Sequence, residues 1–326
     1  MGNFTNNSRF DELHEGLAKR FKSEGIRYDA GDAAILERKL THTLSQVQET
    51  VYSKVITLMG VPVEAPEGTG LTSIEYLRAT TQGEMALIGP GSADLPSINR
   101  GLEFDENKVA NYGASFCYNI IDFERVQRMT GVFNPDIPGA ARRIAERKID
   151  AVTLSEGDPK KAAVKGFFGY DLNVVSGLNG AWLTGATVDD MLFDLAALWK
   201  ASYQGSGANE EPDTCFLPDG EYAMLKTTFR ANSDTTLLSL FTDKIGVNFM
   251  PSPRLTGLTS ATNSLSNANA PLMFKKDRQY VRLHIPRPFQ ILPGTWEGIE
   301  YETNFLLDFA GLVLTLPNMV ATGDIS

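Results

Sequence analysis

Residue types that could do chemistry are few and scattered along this sequence. The histidines His14, His42 and His284 are far apart, and Cys117 and Cys215 match no metal-binding or redox spacing. The sequence contains no Walker phosphate-binding loop, no Gly-x-Ser-x-Gly nucleophile motif and no His-Glu-x-x-His zinc motif. We therefore expect no catalytic residue, no metal site and no cofactor, and we expect that the protein is not an enzyme.

Two acidic pairs are weak candidates for a cation site. Asp189 and Asp190 follow Thr187 at the start of a predicted helix, where Thr187 and Asp190 match a capping box, so capping explains this pair. Glu300 and Glu302 would lie on one face of a strand, and this spacing could bind a cation. A salt bridge from the second pair to an arginine across a subunit boundary is the better interpretation.

The chain is acidic: its 326 residues include 30 Lys and Arg against 40 Asp and Glu, a formal net charge of −10. Because affinity for nucleic acid comes largely from Lys and Arg, this balance disfavours sequence-specific DNA binding. Basic residues do cluster at Arg142, Arg143, Arg147 and Lys148. This cluster could touch DNA or form ion pairs within the protein.

Apolar residues make up 42% of the chain, which is enough for the hydrophobic core of one large domain or two ordinary ones. The N-terminus lacks the basic-then-apolar order of a signal peptide, and no apolar run approaches the ~18 residues of a membrane span. We expect a soluble globular protein that is neither secreted through a signal peptide nor embedded in a membrane.

An amphipathic helix is predicted within residues 135–157, and the other predicted elements can be placed relative to it. Its apolar stripe at the helical period consists of Ala141, Ala145, Ile149 and Val152. Its opposite side is charged and consists of Arg142, Arg143, Glu146, Arg147 and Asp150. Pro138 is tolerated in the first turn, and Gly157 is expected to end the helix. Because the residues of the stripe are mostly small, a sheet can approach the helix closely.

The chain before this helix predicts two helices and a hairpin. Residues 10–24 and 33–58 predict helices with too few aromatic residues for a core of their own, so they must lie on the body of the chain or on a neighbouring copy. Residues 71–80 and 103–120 show strand period and predict a long hairpin. The outer half of this hairpin is polar on both faces, which fits either an arm that projects toward a partner or the edge of a sandwich.

The chain after the helix predicts a lobe, a loop and further strands. Residues 187–250 alternate helix and strand around one apolar set and predict a compact α/β lobe. Residues 252–270 are rich in Ser, Asn, Thr and Gly and predict a flexible loop at one edge of the lobe. Strands are then predicted at 272–274, 279–285 and 299–316. The proline-rich residues 286–293 are expected to lie outside any sheet interior.

This order of elements, together with several short signatures, resembles a known family. The signatures are Asp94–Ile98, Ala140–Asp150, Gly166–Tyr170, Leu217–Pro218 with Tyr222–Leu225, Ser233–Leu238, and Ile285–Pro286 with Phe289. Over roughly residues 33–320 the chain resembles the major capsid proteins of tailed phages with the Hong Kong 97-type shell fold. The helix signature is the most specific of the set.

The resemblance implies an α+β protein with a Hong Kong 97-like capsid fold. The implied divisions are an N-terminal arm (1–58), an extended loop that lies over the adjacent subunit (59–120), a peripheral domain with a spine helix (121–165), an axial domain (166–275) and peripheral return strands (276–326). The flexible loop at 252–270 would then lie near the axis of each hexamer or pentamer.

The function that the resemblance implies is that of a major capsid protein. It would self-assemble, as hexamers and pentamers, into an icosahedral shell that encloses the dsDNA genome of a tailed bacteriophage without sequence-specific binding and without a membrane. It would be located in the virion after assembly in the host bacterial cytoplasm. Scaffolding, portal or decoration proteins would be further partners.

Candidate site residues follow from the same resemblance. For contact between subunits through the extended loop they are Ile74, Tyr76, Leu95, Ile98 and Phe104. On the spine helix they are Arg142, Arg143, Glu146 and Arg147. Some shells of this fold join a lysine of the extended loop covalently to an asparagine of the next subunit. Residues 71–102 contain no lysine, so we expect a shell without covalent links.

Two other functions stay open at this point. A nanocompartment shell of the encapsulin type shares the fold but encloses cargo enzymes, and the sequence shows no cargo-docking signature that we can identify. A metabolic α/β enzyme would be a monomer or a small oligomer. Microscopy distinguishes such an oligomer from a shell directly.

Overall fold

The structure is a computed structural model that describes residues 55–64, 68–85, 97–121, 137–230 and 234–326. The helix predicted at 10–24, and most of the helix predicted at 33–58, lie outside these residues. No helix of the described ranges is long and apolar enough to cross a bilayer.

The α-helices of the described residues are α1 (Thr57–Gly60), α2 (Ile137–Thr153), α3 (Val188–Gly205), α4 (Asp219–Thr227) and α5 (Leu237–Leu240). The strands, in chain order, are β1 (Ser73–Gln82), β2 (Asn99–Lys108), β3 (Ala110–Asn119), β4 (Gly157–Asp158), β5 (Lys161–Lys165), β6 (Asn173–Val174), β7 (Thr214–Leu217), β8 (Asn248–Pro251), β9 (Leu258–Ser260), β10 (Leu265–Ala268), β11 (Leu272–Phe274), β12 (Val281–His284), β13 (Arg287–Ile291), β14 (Thr295–Glu297), β15 (Glu300–Phe309), β16 (Gly311–Leu314) and β17 (Ala321–Thr322).

Helix α2 is the helix predicted within residues 135–157, and its apolar stripe packs on a sheet. Ile149 and Val152 are buried, and the half-buried Ala145 packs against the same core. Pro138 lies in the first turn, as predicted, where its missing N–H costs no helical hydrogen bond. The small side chains of the stripe allow strands β15 and β16 to come close to the helix backbone.

The helix ends earlier than the sequence predicted. Its last residue is Thr153, whose hydroxyl donates to the carbonyl of Ile149 (2.8 Å), and Gly157 follows four residues later. Gly157 has a φ of 139°, and a side chain at this position would collide with the carbonyl of Val164 in β5. The glycine is therefore required by the tight β4–β5 turn rather than by the helix end.

Strand β15 is the centre of the sheet that lies under α2. β3 pairs antiparallel with all of β15, from Glu300 opposite Asn119 to Phe309 opposite Ala110, while β13 and β14 pair with its other edge. The prediction of a hairpin between residues 71–80 and 103–120 is therefore wrong for its second strand. The hairpin consists of β1 and β2, whereas β3 joins β15 because its apolar face needs α2 as cover.

The proline-rich residues 286–293 join this sheet only at an edge, in agreement with the prediction. β13 pairs with β15, and its register shifts between Arg287 and Gln290, the interval that contains Pro288. An edge strand with an irregular register tolerates proline because the missing N–H faces away from the ladder.

A second sheet, with the order β6-β17-β11-β7-β8, forms the predicted α/β lobe together with α3 and α4. Trp182, Met191, Leu195 and Leu198 are fully buried in its core. The chain's last strand, β17, pairs with both β11 and β6, so the last strands do not all lie with the spine helix. Residues 319–322 are buried, and β17 lies between β6 and β11 in this sheet.

Residues 252–270 are ordered, so the prediction that they form a flexible loop is wrong. They form β9 and β10, which pair antiparallel, and they bury Leu255, Leu258 and Leu265 in the same core as α2. Asn263 accepts from the amide of Leu172 (2.9 Å) and donates to two backbone carbonyls nearby. The polar residues that predicted a loop instead satisfy buried backbone groups.

Helix α3 begins with the predicted capping box. The amide of Thr187 donates to Oδ2 of Asp190 (2.9 Å), and the amide of Asp190 donates to Oγ1 of Thr187 (3.3 Å). Capping therefore accounts for Asp190 without a bound cation, as the sequence indicated.

We predict that Thr187→Ala lowers the free energy of unfolding of the dissociated subunit by about 1 kcal/mol, because the amide of Asp190 loses its acceptor and the carboxylate of Asp190 loses the Thr187 hydroxyl that donates to it. Urea unfolding followed by circular dichroism measures the change. Thr184→Ala is the matched control, since the Thr184 hydroxyl makes only a long hydrogen bond to Ala181 (3.5 Å). Equal midpoints for the two variants would contradict the prediction.

Candidate interaction surfaces

The hairpin of β1 and β2 carries an exposed apolar stripe on one face. Opposed residues of an antiparallel pair share a face, and Leu77 lies opposite Phe104. Leu102 follows on the same face, two residues from Phe104. The three side chains are 52%, 73% and 54% exposed for Leu77, Phe104 and Leu102, respectively. We call these three residues the hairpin stripe.

The opposite face of the hairpin turns toward its own chain near the base. Ile74 and Tyr76 lie on this face and are half-buried, and the side chain of Tyr76 lies beside that of Tyr170. Asn107 is buried and donates to the carbonyl of Leu312 (3.0 Å), which anchors the base of the hairpin to β16. The base is therefore fixed, while residues 99–104 of β2 are exposed.

The candidate contact residues of the extended loop thus differ in position. Phe104 and Ile98 are exposed, Ile74 and Tyr76 face inward, and Leu95 lies outside the described residues. Leu77 and Leu102 were missed by the sequence reasoning. Their alternation with Phe104 is visible in the sequence, but their common face depends on the register of Leu77 opposite Phe104.

An apolar groove opens between the N-terminal half of α2 and the β3–β15 sheet. It has a volume of about 440 Å³, and its lining residues include Ala140, Ala141, Ile144, Phe116, Phe305 and Phe289. A second cavity of about 320 Å³ adjoins it and shares Ala145, Phe289 and Leu307 with it. The side chain of Ile144 is 61% exposed. We call the larger space the helix–sheet groove.

The groove exists because α2 and the sheet separate toward the start of the helix. Near the end of α2, Ile149 and Val152 fill the space against β15 and β16. Near its start, the described side chains of the helix that line the groove are Ala140, Ala141 and the outward Ile144, which do not fill it. Phe289 and Phe305 stack at 5.7 Å between ring centroids and form part of the apolar wall.

Arg142 and Glu146 of α2 line the second cavity rather than the helix–sheet groove. Arg142 pairs with Glu146 (2.9 Å) on the exposed surface, and Arg143 is exposed beside them. Arg147 is half-buried, and its carbonyl accepts from Arg254 (3.5 Å). Sequence analysis left two roles open for the basic residues of α2, contact with DNA and ion pairing within the protein. The second role applies to Arg142, whose partner Glu146 lies on the same helix.

Lys148 pairs with the buried Asp158 (3.1 Å) and lines the groove. Asp158 also accepts from the hydroxyl of Tyr112 and from the amide of Lys160 (2.9 Å). Burial alone would raise the pKa of Asp158, but these hydrogen bonds and the Lys148 ammonium outweigh burial and hold the pKa below its usual value. Burial, followed by the hydrogen bond to Asp158, raises the pKa of Tyr112.

A second buried carboxylate, Asp150, joins three segments. It accepts from the amide of Thr57 (3.2 Å) and from its hydroxyl (2.6 Å), and it pairs with Nε of Arg254 (3.2 Å). Asp150 thereby links α1, the last turns of α2 and the turn before β9. Because a buried carboxylate without partners is costly, these contacts fix the three segments together.

Of the residues considered first for chemistry, those that the structure describes are not brought together by the fold. His284 is buried in β12, Cys215 is buried in β7, and Cys117 lies exposed on β3; His14 and His42 lie outside the described ranges. Burial raises the pKa of the Cys215 thiol. Within the described residues no three His, Cys, Asp or Glu side chains are placed to hold a metal ion.

Comparison with known families gives one match that covers most of the chain. The family model described as "Major capsid protein" matches residues 83–325. A comparison with curated protein sequences finds no match.

Solved structures share the fold. The capsid protein of Myoviridae phage XM1 is similar with a TM-score of 0.75 and 19% identity, over 92% of this chain and 99% of that chain. The capsid of a native GTA particle has a TM-score of 0.60 and 13% identity, over 88% and 95%. A virus-like particle from Pyrococcus furiosus has a TM-score of 0.50 and 13% identity, over 82% and 91%.

We predict that stability depends on Asp158 more strongly at neutral pH than in acid. A carboxylate whose pKa is lowered by folding stabilises the folded state above the ordinary pKa near 3.8, and this contribution is lost as pH falls through the lower folded value. Asp158→Asn should therefore cost roughly 1–3 kcal/mol at about pH 7 and distinctly less at about pH 3.

Urea unfolding of dissociated subunits at the two pH values measures this difference. The exposed Asp171, changed to Asn, is the matched control. A cost for Asp158→Asn that is the same at both pH values would contradict the assignment of a stabilising charge to Asp158.

Proposed function

The chain belongs to the major capsid protein family, and from this premise we propose how it works in the phage particle. As a member, it is a shell-forming protein of the virion that assembles with copies of itself. We propose that hexamers and pentamers of this chain form an icosahedral shell around the dsDNA genome of a tailed bacteriophage.

The observation that carries this proposal is the amount of apolar surface on projecting parts of the subunit. The hairpin stripe is exposed, and so are Trp296 and Ile299 at the far end of the β3–β15 sheet. Burial of apolar surface is worth about 25 cal/mol per Å² before the entropic costs of association. Contacts between copies can hide this surface, whereas an isolated subunit leaves it in water.

The charge of the chain supports a container that does not hold its DNA by specific contacts. The formal net charge is −10, and Arg142 and Lys148 of the basic cluster in α2 are engaged with carboxylates of the same chain. Weak binding between the shell protein and the DNA suits a shell, because the genome must later leave the particle.

The same proposal assigns the chain a structural role without catalysis. Scaffolding, portal and decoration proteins are its expected partners besides its own copies, and assembly takes place in the cytoplasm of the host bacterium. The chain's chemistry-bearing residues support this role, since the described histidine and cysteines lie apart from one another.

Microscopy of the expressed protein tests the proposed function. We predict closed particles, and particles from infected cells that protect dsDNA from nuclease. Cages filled with enzyme instead of DNA would favour the nanocompartment interpretation. A monomer or a small oligomer at high concentration would contradict both kinds of shell.

We further predict that the shell contains no covalent links between subunits, because residues 71–102, which include most of the hairpin, contain no lysine to form them. Particles heated in denaturant should run as a single monomer band on a denaturing gel. The control is the same sample treated beforehand with a lysine-reactive crosslinker. A ladder of joined subunits without crosslinker would show that the prediction is wrong.

A further inference from the structure

We propose that strand β3 of one copy pairs antiparallel with strand β3 of a second copy, around a two-fold axis at Ser115. The contact would join the β3–β15 sheets of two subunits into one sheet that crosses the boundary between them. The inference rests on the proposed shell function, because it gives the contact a place between neighbouring rings of subunits.

Within its own subunit, β3 uses one edge for pairing with β15. The amide of Ile120 donates to the carbonyl of Ile299 (3.0 Å), which shows that the even-numbered residues bond to β15. The odd-numbered residues direct their N–H and C=O groups to the other edge, and they are Asn111, Gly113, Ser115, Cys117 and Asn119. Within the described ranges, these ten backbone groups have no hydrogen-bond partner.

This open edge of β3 lacks the residues that normally protect an exposed strand. Natural proteins protect such edges with charged side chains, proline or irregular pairing. The opposite edge of the same sheet has these features, since β13 contains Pro288 and shifts register, and β14 contains Glu297. Residues 110–119 contain neither a charged residue nor a proline. We therefore expect another strand to cover this edge in the assembled protein.

A second β3 matches the edge in full when Ser115 lies opposite Ser115 of the second copy. In this register, Gly113 lies opposite Cys117 and Asn111 lies opposite Asn119, so all outward N–H and C=O groups gain partners. The two strands would exchange about ten hydrogen bonds. A shift by two residues leaves Asn111 or Asn119 of each copy unpaired, so the central register is favoured.

The side chains also fit this register on both faces of the sheet. On the face toward α2, Phe116 would lie opposite Ala114 of the second copy, so that a large side chain meets a small one. On the other face, Ser115 would meet Ser115, and Gly113 would meet Cys117. Because residues 110–119 are uncharged, the pairing brings no like charges together within these strands.

The pairing would cover part of the helix–sheet groove as well. Residues 112–116 line this groove, which therefore extends to the open edge of β3. The two-fold axis would place the grooves of both copies side by side, with Phe116 of each copy next to Ala114 of the other. Burial of this apolar surface would add to the backbone hydrogen bonds of the contact.

The neighbouring elements leave room for one strand of this length. On the same edge of the chain, the amide of Val109 donates to the carbonyl of Thr72, which precedes β1 (2.9 Å). Asn119 of the second copy would lie opposite Asn111, two residues before this contact. Residues 120–121 are helical, so the second strand ends before it would meet β1.

The symmetry of this contact gives it a place in a shell. The same surface meets on both subunits, so the contact is two-fold symmetric and closes with two copies. Hexamers and pentamers form through head-to-tail contacts, which differ from this one. A two-fold contact can then join a subunit of one ring to a subunit of the next ring.

A charge swap at the centre of the contact tests the pairing. Ser115→Lys and Ser115→Glu each place like charges opposite each other, so each variant alone should need a protein concentration at least about fivefold higher for assembly. An equal mixture should assemble close to the wild-type concentration, because Lys then faces Glu. Urea midpoints of the dissociated variants should match wild type, since Ser115 is exposed.

The matched control for the charge swap is another exposed serine, Ser176, which lies outside β3. Mixing Ser176→Lys with Ser176→Glu should not lower the concentration that assembly needs. The pairing would be overturned if either Ser115 variant alone assembled as readily as wild type. A mixture of the Ser115 variants that assembles no better than its components would also overturn it.

A disulfide tests the register directly. In a Cys117→Ser background, copies with Ser115→Cys would have opposed Cα atoms about 5.5 Å apart, within reach of a disulfide. Particles treated with diamide should then give dimers on a non-reducing gel. Asn111→Cys in the same background is the control, because its copies would lie about 26 Å apart along the strands. Absence of dimers for Ser115→Cys, or equal dimer yields at both positions, would overturn the proposal.

The same variant separates this inference from the proposed function. If wild type forms shells but Ser115→Cys gives no dimers in them, the strand pairing is wrong and the shell function stands. If wild type forms no shells but concentrated Ser115→Cys gives dimers, the shell function is wrong and the strand pairing stands as a dimer contact. If neither shells nor dimers form, both proposals are wrong.

Discussion

The structure depends on covering the apolar face of the β3–β15 sheet. Helix α2 covers that face completely at one end, where Ile149, Val152 and Phe309 are buried. At the other end the helix offers alanines and leaves a groove. The same sheet therefore supplies the core of the subunit and an open apolar surface, and the difference comes from the size of the side chains along one helix.

Buried polar groups decide how the surrounding segments are held. Asp150 joins α1, α2 and the turn at Arg254, while Asp158 joins β3, α2 and β4 through Tyr112 and Lys148. Each carboxylate has several donors, so each offsets the cost of its burial only when all its segments are in place. These networks give specific positions to elements that apolar packing alone would allow to slide.

The projecting hairpin, in contrast, is held to the rest of the chain at its base. Its base is fixed through Asn107, but one face of the hairpin carries the exposed Leu77, Leu102 and Phe104, and the opposed carboxylates of Glu75 and Glu106 lie next to them toward the base. A monomeric protein would be expected to avoid both features, since one favours aggregation and the other is electrostatically unfavourable. In a shell-forming protein, both are features that a neighbouring subunit can satisfy.

The sequence by itself determined the elements whose signals are local. Helix α2, the capping box of Thr187 and Asp190, the α/β lobe and the family all followed from periodicity, short motifs and composition, because these depend on residues close together in the chain. Only the tertiary structure decided that β3 pairs with β15, that residues 252–270 are ordered, and that β17 enters the second sheet. Strand alternation says which residues share a face but not which strand lies opposite, and a polar residue has the same sequence signal whether it meets water or a buried carbonyl. The hairpin stripe depended on register for the same reason: Leu77 and Phe104 are far apart in sequence, and only pairing places them on one surface.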